Sequence, residues 1–250
     1  MLAKKIKQFK NILKINNRII GVEFTRKKYT NYNHFRDTTC TALARAIIKN
    51  TMVIFDNKKF PQLCSGANYF FKLSKINNNK VCDVYVKEEH VFADKKTCNF
   101  FLNNLPKLPN ELKNKSIVIK PFKPGDKPQV IILLINPAQA GRILGLLNYD
   151  QYKTVKIHPN QPTCLSIFAP LITKEPHCNF IDYYDRYYQG RINGKKIWPE
   201  NKMIVSITFN NFKKILNNLD KSPHGSLKTD LSPQVVDEIT IKKFDNINRL

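Results

Sequence analysis

The chain is poor in glycine, and the glycines it has build no phosphate cradle. Its eight glycines form neither the G-x-x-x-x-G-K-S/T loop nor the G-x-G-x-x-G turn through which backbone N–H groups approach a nucleotide phosphate. No C-x-x-C, H-E-x-x-H or G-x-S-x-G occurs, which removes the common zinc-ribbon, metallopeptidase and serine-hydrolase signatures. The five histidines, at 34, 90, 158, 177 and 224, are scattered and form no ligand motif. Long apolar runs are also lacking. No stretch approaches the roughly 18–20 consecutive apolar residues of a membrane-spanning helix, and Met1 to Lys14 is too interrupted by lysine to form the apolar core of a secretory signal. A cytoplasmic protein with no membrane partner is expected.

Acidic residues are scarce: 19 Asp and Glu face 42 Lys and Arg, a net charge of +23. A field of this size attracts nucleic acid or other polyanions. The lysines, however, are spread over the first 30 residues, over 107–127 and over the last 60, without the stripe of basic and aromatic residues that marks a dedicated nucleic-acid module. Lys, Asn and Ile are abundant even where no motif exists, as in Asn77-Asn78-Asn79-Lys80. A nucleic-acid partner is therefore not the favoured reading. At 250 residues, 42% of them hydrophobic, the chain can bury a full core unaided.

Periodicity predicts alternating helices and strands. Ile6, Phe9 and Leu13 mark an amphipathic N-terminal helix over 1–17. Strands are expected at Arg18–Phe24, Met52–Phe55, Val81–Lys87, Lys115–Lys120, Val130–Ile135, Lys153–Ile157 and Met203–Phe209. Helices are expected after Asp37–Thr39, over Ala67–Leu73, over Lys95–Leu105 up to the prolines at 106 and 109, from Asn136-Pro137 to Leu147, over Leu165–Leu171 and over Asn210–Leu219. The run Val130–Ile135 is wholly apolar and reads as a central strand buried on both faces. The expected fold is α/β (or α+β): a mixed β-sheet covered by helices in a single compact domain over 18–220, followed by a C-terminal extension over 221–250. If an internal boundary exists, 106–128 is its place.

Six cysteines in a reducing compartment are thiols, metal ligands or redox centres rather than disulfides. Three share a setting. Cys40, Cys64 and Cys164 each follow a polar or proline-containing turn at the first turn of an apolar segment. The exposed N–H groups of a helix start favour an anion there, lower a thiol's pKa and suit a metal or cluster ligand. Cys178, 14 residues after Cys164, is the expected fourth ligand, with Cys98 as the alternative. Cys82 and Cys98 fall inside regular elements and read as packing residues. The run Asp182 to Tyr188 holds four tyrosines that could stack on a planar ligand or on bases; an amphipathic edge segment is the plainer reading.

The order of these pieces resembles the uncharacterised prokaryotic family catalogued as domain of unknown function 169. The likeness lies in Ile19 to Phe24, in Thr39-Cys40-Thr41-Ala42-Leu43-Ala44-Arg45-Ala46, in Leu63-Cys64-Ser65-Gly66-Ala67 and in the run from Pro128 through Asn136-Pro137-Ala138-Gln139 to Pro162-Thr163-Cys164. It spans 18–220. It implies no activity, but Cys40, Cys64 and Cys164 fall on its motif positions, whereas Cys178 matches less clearly. A departure there would leave three thiolates and an open position.

Three readings follow. The favoured one is an iron–sulfur protein, its cluster of the 4Fe–4S type held by Cys40, Cys64, Cys164 and Cys178, in redox or sensing work with a redox partner protein or a small ligand. The second is a polyanion-binding module. The third is a metal-free thiol enzyme with Arg45 or His158 assisting one helix-start cysteine.

Overall fold

A computed structural model describes residues 2–27, 29, 38–55, 64, 69–71, 78–113, 115–160, 162–181, 185–189, 191–192 and 195–225. The strands are β1 (Ile20–Thr25), β2 (Val53–Phe55), β3 (Ser116–Pro121), β4 (Val130–Ile135), β5 (His158–Pro159), β6 (His177–Asn179), β7 (Arg191–Ile192), β8 (Lys195–Lys196) and β9 (Met203–Thr208). The helices are α1 (Leu2–Ile12), α2 (Thr39–Lys49), α3 (Asn78–Asp83), α4 (Lys95–Asn104), α5 (Pro137–Asn148), α6 (Ala169–Thr173) and α7 (Phe209–Asn218). A 3-10 turn covers Thr163–Ile167, and π-helical turns cover Val84–Glu88 and Asp185–Gln189.

Seven strands form one sheet in the order β2-β3-β1-β4-β9-β6-β5, and β7 and β8 form a separate hairpin. Every pairing in the large sheet is antiparallel except β5 with β6, so the sheet is mixed. The central strand is β4. All six of its residues are buried, because neighbours flank both edges and helices cover both faces. Since side chains alternate across a strand, its two sets of residues enter two cores. Val130, Ile132 and Leu134 join Ile20, Val22, Ile117, Ile119 and Ile204 beneath α2, α3 and α4. Ile131, Leu133 and Ile135 join Val205, Ile207 and the apolar faces of α1, α5 and α7. The result is three layers, helix on sheet on helix.

Local chemistry fixes the helix ends. The Thr38 hydroxyl caps α2 by accepting from the Thr41 N–H at 3.2 Å, and α2 ends on Asn50 in the left-handed region (φ 58°). Asn136 and Gln139 form a reciprocal capping box at α5, with Pro137 at its first turn. The Gln139 amide also donates to the Leu13 and Lys14 carbonyls at 2.7 and 3.0 Å, fastening the end of α1 to the β4–α5 corner. Phe9 is fully buried and meets Phe212 edge to face, 5.4 Å between centroids, so α1 lies on the domain as its spacing predicts. Gly21 has a separate role. A Cβ there would stand 3.2 Å from the Pro128 Cβ, so the glycine lets β1 pass close to the segment entering β4.

Two of the expected strands do not form. Val81–Lys87, taken for a strand, is the end of α3 and its π-helical continuation. The alternation there came from one buried helical face (Val81, Cys82 and Tyr85), which short apolar patterns do not distinguish from a strand. Lys153–Ile157 is not a strand, and pairing begins only at His158. The segment Leu165–Leu171 divides into a 3-10 turn and α6. The candidate boundary at 106–128 contains β3, which pairs with β1 and β2, so the sheet is continuous across it. The turn at 61–63, most of the helix expected at 67–73, residues 182–184 and the tail from 226 lie outside the described residues.

Amide hydrogen exchange should find Val130–Ile135 the slowest segment. Replacing Gln139 by alanine should lower stability by about 2–3 kcal/mol, because it removes half the capping box and leaves two carbonyls unpaired. Exchange in α1 should accelerate while β4 remains slowest. Fast exchange in β4, or an unaltered α1, would contradict this architecture.

Candidate functional site

Cys40 is the second residue of α2, just inside the Thr38 cap, and is buried. Cys164 is the second residue of the turn Thr163–Ile167, all five of whose residues are buried. That turn packs against α2, and so does the π-helical turn beginning at Asp185. Cys64 is half-buried against the same core, and its Sγ lies 3.5 Å from the Thr39 Oγ1. Three cysteines up to 124 positions apart in the chain therefore gather over one face of the sheet.

Their surroundings set their electrostatics. The Cys40 thiol is held well above its ordinary pKa by burial first, then by the negative charge of Asp185, then by Cys64 and Cys164, with a hydrogen bond to Asp185 adding to the effect. The Tyr85 phenol is likewise raised, by burial and then by Cys164, Cys64, Glu89 and Asp185. This corrects the expectation of a lowered thiol pKa at the start of α2. Dehydration and an adjacent carboxylate outweigh the helix end, and Cys40 in this form is a thiol.

Tyr85 and Asp185 both lie in π-helical turns, wide turns that recur at functional sites. Neither was singled out from the sequence. The signal for Asp185 was the tyrosine run around it, read there as a stacking surface. The Arg186 guanidinium donates to the carbonyls of Phe180, Trp198, Pro199 and Lys202, and the Tyr187 hydroxyl to Glu200, so these two residues clasp the loop before β9, while the side chains of the other three tyrosines lie outside the described residues. Asn179, fully buried, braces the site from below. Its Oδ1 accepts from the Thr163 hydroxyl (3.1 Å) and the Ile181 N–H (2.6 Å), tying the turn of Cys164 to the segment that leads to Asp185.

The other cysteines lie elsewhere. Cys178 is on β6 with its side chain in the opposite core, among the residues beneath α1, α5 and α7. Strand alternation sends it to the face away from Cys164, a consequence that its separation in sequence does not reveal. Burial pushes its thiol up. Cys82 and Cys98 are fully buried on α3 and α4 and hydrogen-bond to each other, and burial together with that bond pushes the Cys98 thiol up to about 12. Of the assisting groups considered, Arg45 lies on α2, whereas His158 is on the edge strand β5 and bonded to Glu175. Among the described residues, no three His, Cys, Asp or Glu side chains converge closely enough to grasp a single metal ion.

Residues 8–218 match the model of the domain of unknown function 169, described as Uncharacterised ArCR. The chain belongs to this family. No curated protein and no solved structure is significantly similar to it. The motifs that carry the family likeness divide into two kinds. Gly21, Gln129, Asn136 and Gln139 have structural tasks: close approach, strand hydrogen bonding (the Gln129 side chain accepts from the Phe24 N–H at 2.9 Å) and helix capping. Cys40 and Cys164 are buried and Cys64 packs on the core and bonds to Thr39, and the three lie in one region around the start of α2.

A second polar group went unread in the sequence. His177 is buried at the β6 edge, its Nε2 2.9 Å from the Thr173 hydroxyl, with the His158 ring 5.4 Å away and Glu175 bonded to His158. Burial, and then the His158 charge, lower its pKa to about 4. Hydrogen bonding to His158 lowers that of Glu175.

Two outcomes follow. In metal-free native protein, iodoacetamide should modify Cys64 first and the five buried cysteines slowly, as read by mass spectrometry; labelling of Cys40 or Cys164 ahead of Cys64 would contradict the burial pattern. His177 binds its proton less readily folded than unfolded, so its contribution is complete above pH ~6.5 and lost as pH falls towards 4, up to about 3 kcal/mol. Glu175 acts in the same direction in acid. The urea midpoint should therefore drop less between pH 7 and 4.5 in His177→Gln than in the wild type; equal drops would exclude His177 as a source.

Proposed function

We propose that this protein binds an iron–sulfur cluster through Cys40, Cys64 and Cys164 and serves in electron transfer or sensing. The observation that carries the reading is that these three thiols lie near one another around the start of α2, in a part of the core that also contains a carboxylate and a phenol. A cluster is wider than a single ion and holds its thiolates farther apart, so thiols that do not close on one ion still suit it. Thiolates are the ligands iron–sulfur clusters select.

The surroundings support the same reading. When Cys64 is a thiolate, its sulfur can only accept, so the Thr39 hydroxyl is the donor; hydrogen bonds to ligand sulfurs adjust a cluster's potential. Cys40 lies in the first turn of α2, where the helix end favours an anion. Its raised pKa makes loading pH-dependent: the proton must leave as metal binds, so affinity should rise with pH. The cluster would supply one-electron chemistry; the protein supplies its ligands, a dry pocket and access on the side of Cys64.

Protein purified or reconstituted without oxygen should contain iron and acid-labile sulfide and show a brown visible spectrum. Cys40→Ser, Cys64→Ser and Cys164→Ser should each lose most of both, because a hydroxyl is a far weaker ligand than a thiolate. Cys82→Ser and Cys178→Ser should retain them, with only about 1 kcal/mol of stability lost. Colourless, metal-free protein after anaerobic handling would refute the proposal.

A further inference from the structure

Lysines that lie dispersed in the sequence are gathered by the fold around the end of α1, on the face of the sheet opposite Cys164. α1 contains no acidic residue. Its apolar side is committed to the core, where Phe9 and Leu13 are buried and Phe9 meets Phe212. Lys7 is exposed, Lys10 follows one turn on and half-buried, and Lys14 is exposed after a further turn. With Asn11, Asn16 and Ile6 these lysines line a groove of ≈ 820 Å³. Lys14 holds a left-handed backbone (φ 51°), where glycine or asparagine is the usual residue, so its charge stands at the groove at some conformational cost.

Two further cations reach the same corner. The Arg142 guanidinium donates to the Ile12 carbonyl at 2.9 Å. The Lys202 ammonium donates at 3.4 Å to the Gln139 Oε1, and the amide nitrogen of that glutamine holds the Leu13 and Lys14 carbonyls. A helix end that would otherwise present negative carbonyls is thus covered by donors. Among the described residues, none of Lys7, Lys10, Lys14, Arg142 and Lys202 forms an ion pair. Asp220 is bonded to Gln8 and lines a separate groove with Lys4 and Lys5. Like charges gathered without an internal partner attract an external polyanion.

We propose that this corner binds the phosphate backbone of nucleic acid, irrespective of base sequence. From Lys7 to Lys14 is about 10 Å along the helix axis, the rise of about three phosphates on one strand, so one ammonium meets each phosphate. Asn11 and Asn16 add uncharged donors for phosphate oxygens. None of the described residues that line the groove is aromatic, so no base stacks there, and contacts to the backbone alone carry no sequence information. A membrane surface is the poorer occupant, because the apolar side of α1 that would enter the lipid faces the protein core.

The test follows binding of the full-length protein to two fluorescein-labelled short single strands of unrelated sequence, by fluorescence anisotropy across a salt series. Wild type should bind both strands alike, with affinity falling steeply as salt rises. In the triple variant Lys7→Gln, Lys10→Gln, Lys14→Gln the log–log salt slope should shrink by about 2, which is about a hundredfold in affinity at about 0.1 M salt if the lines meet near about 1 M. Lys7→Gln and Lys14→Gln singly should each shrink it by about 0.7, and arginine at all three positions should preserve it. Lys80→Gln, Lys96→Gln, Lys107→Gln removes the same charge from the opposite layer and should leave the slope unchanged. No binding at low salt, equal losses in the two glutamine triples, a strong preference for one sequence, or tighter binding to polyglutamate or phosphatidylserine vesicles than to either strand would each overturn the proposal.

Discussion

Burial of β4 on both faces is the constraint on which the rest of the molecule depends. Six consecutive apolar residues give the strand no face that tolerates water, so the sheet needs a helical layer on each side. The Asn136–Gln139 cap then supplies one layer immediately, starting α5 at the strand's end and fastening α1 beside it. The other layer is assembled from α2, α3, α4 and the 3-10 turn. It is less regular, with two wide turns and many short pieces, and the thiols collect there.

This division of labour explains the chemistry of the site. The regular layer is a packing device, and its cysteine, Cys178, is a buried apolar residue. The irregular layer brings chain ends and turns together over a dry sheet surface, so polar groups there shift away from their charged forms unless something compensates. On the sheet itself, Lys120 of β3 is ion-paired with both Glu23 and Asp126 at 2.9 Å.

How much of this was legible in the sequence depended on the range of the interaction. Caps, the apolar central strand and the N-terminal amphipathic helix are local, and Asn136-Pro137, Val130–Ile135 and the Ile6–Phe9–Leu13 spacing announced them. So did the helix-start setting of Cys40 and Cys164. The shared setting of Cys40, Cys64 and Cys164 grouped them, but the separation of Cys178 was not legible, because the face a residue occupies follows from strand pairing: Cys178 lies on the opposite side for a reason that resides in β9 and β4. The thiol pKa was misjudged because the helix end is visible in sequence while dehydration and the carboxylate of Asp185, 145 residues away, are not. Asp185 itself was hidden in plain view, surrounded by tyrosines that drew attention to stacking.

Among the described residues the outer strands of the large sheet are short, three residues in β2 and two in β5. One of the two in β5 is Pro159, which has no N–H to offer a neighbour. A strand arriving from another chain would find at either margin only a bond or two to complete, too few to repay its ordering. Over the described residues, the sheet thus offers little ladder for growth without being closed into a barrel.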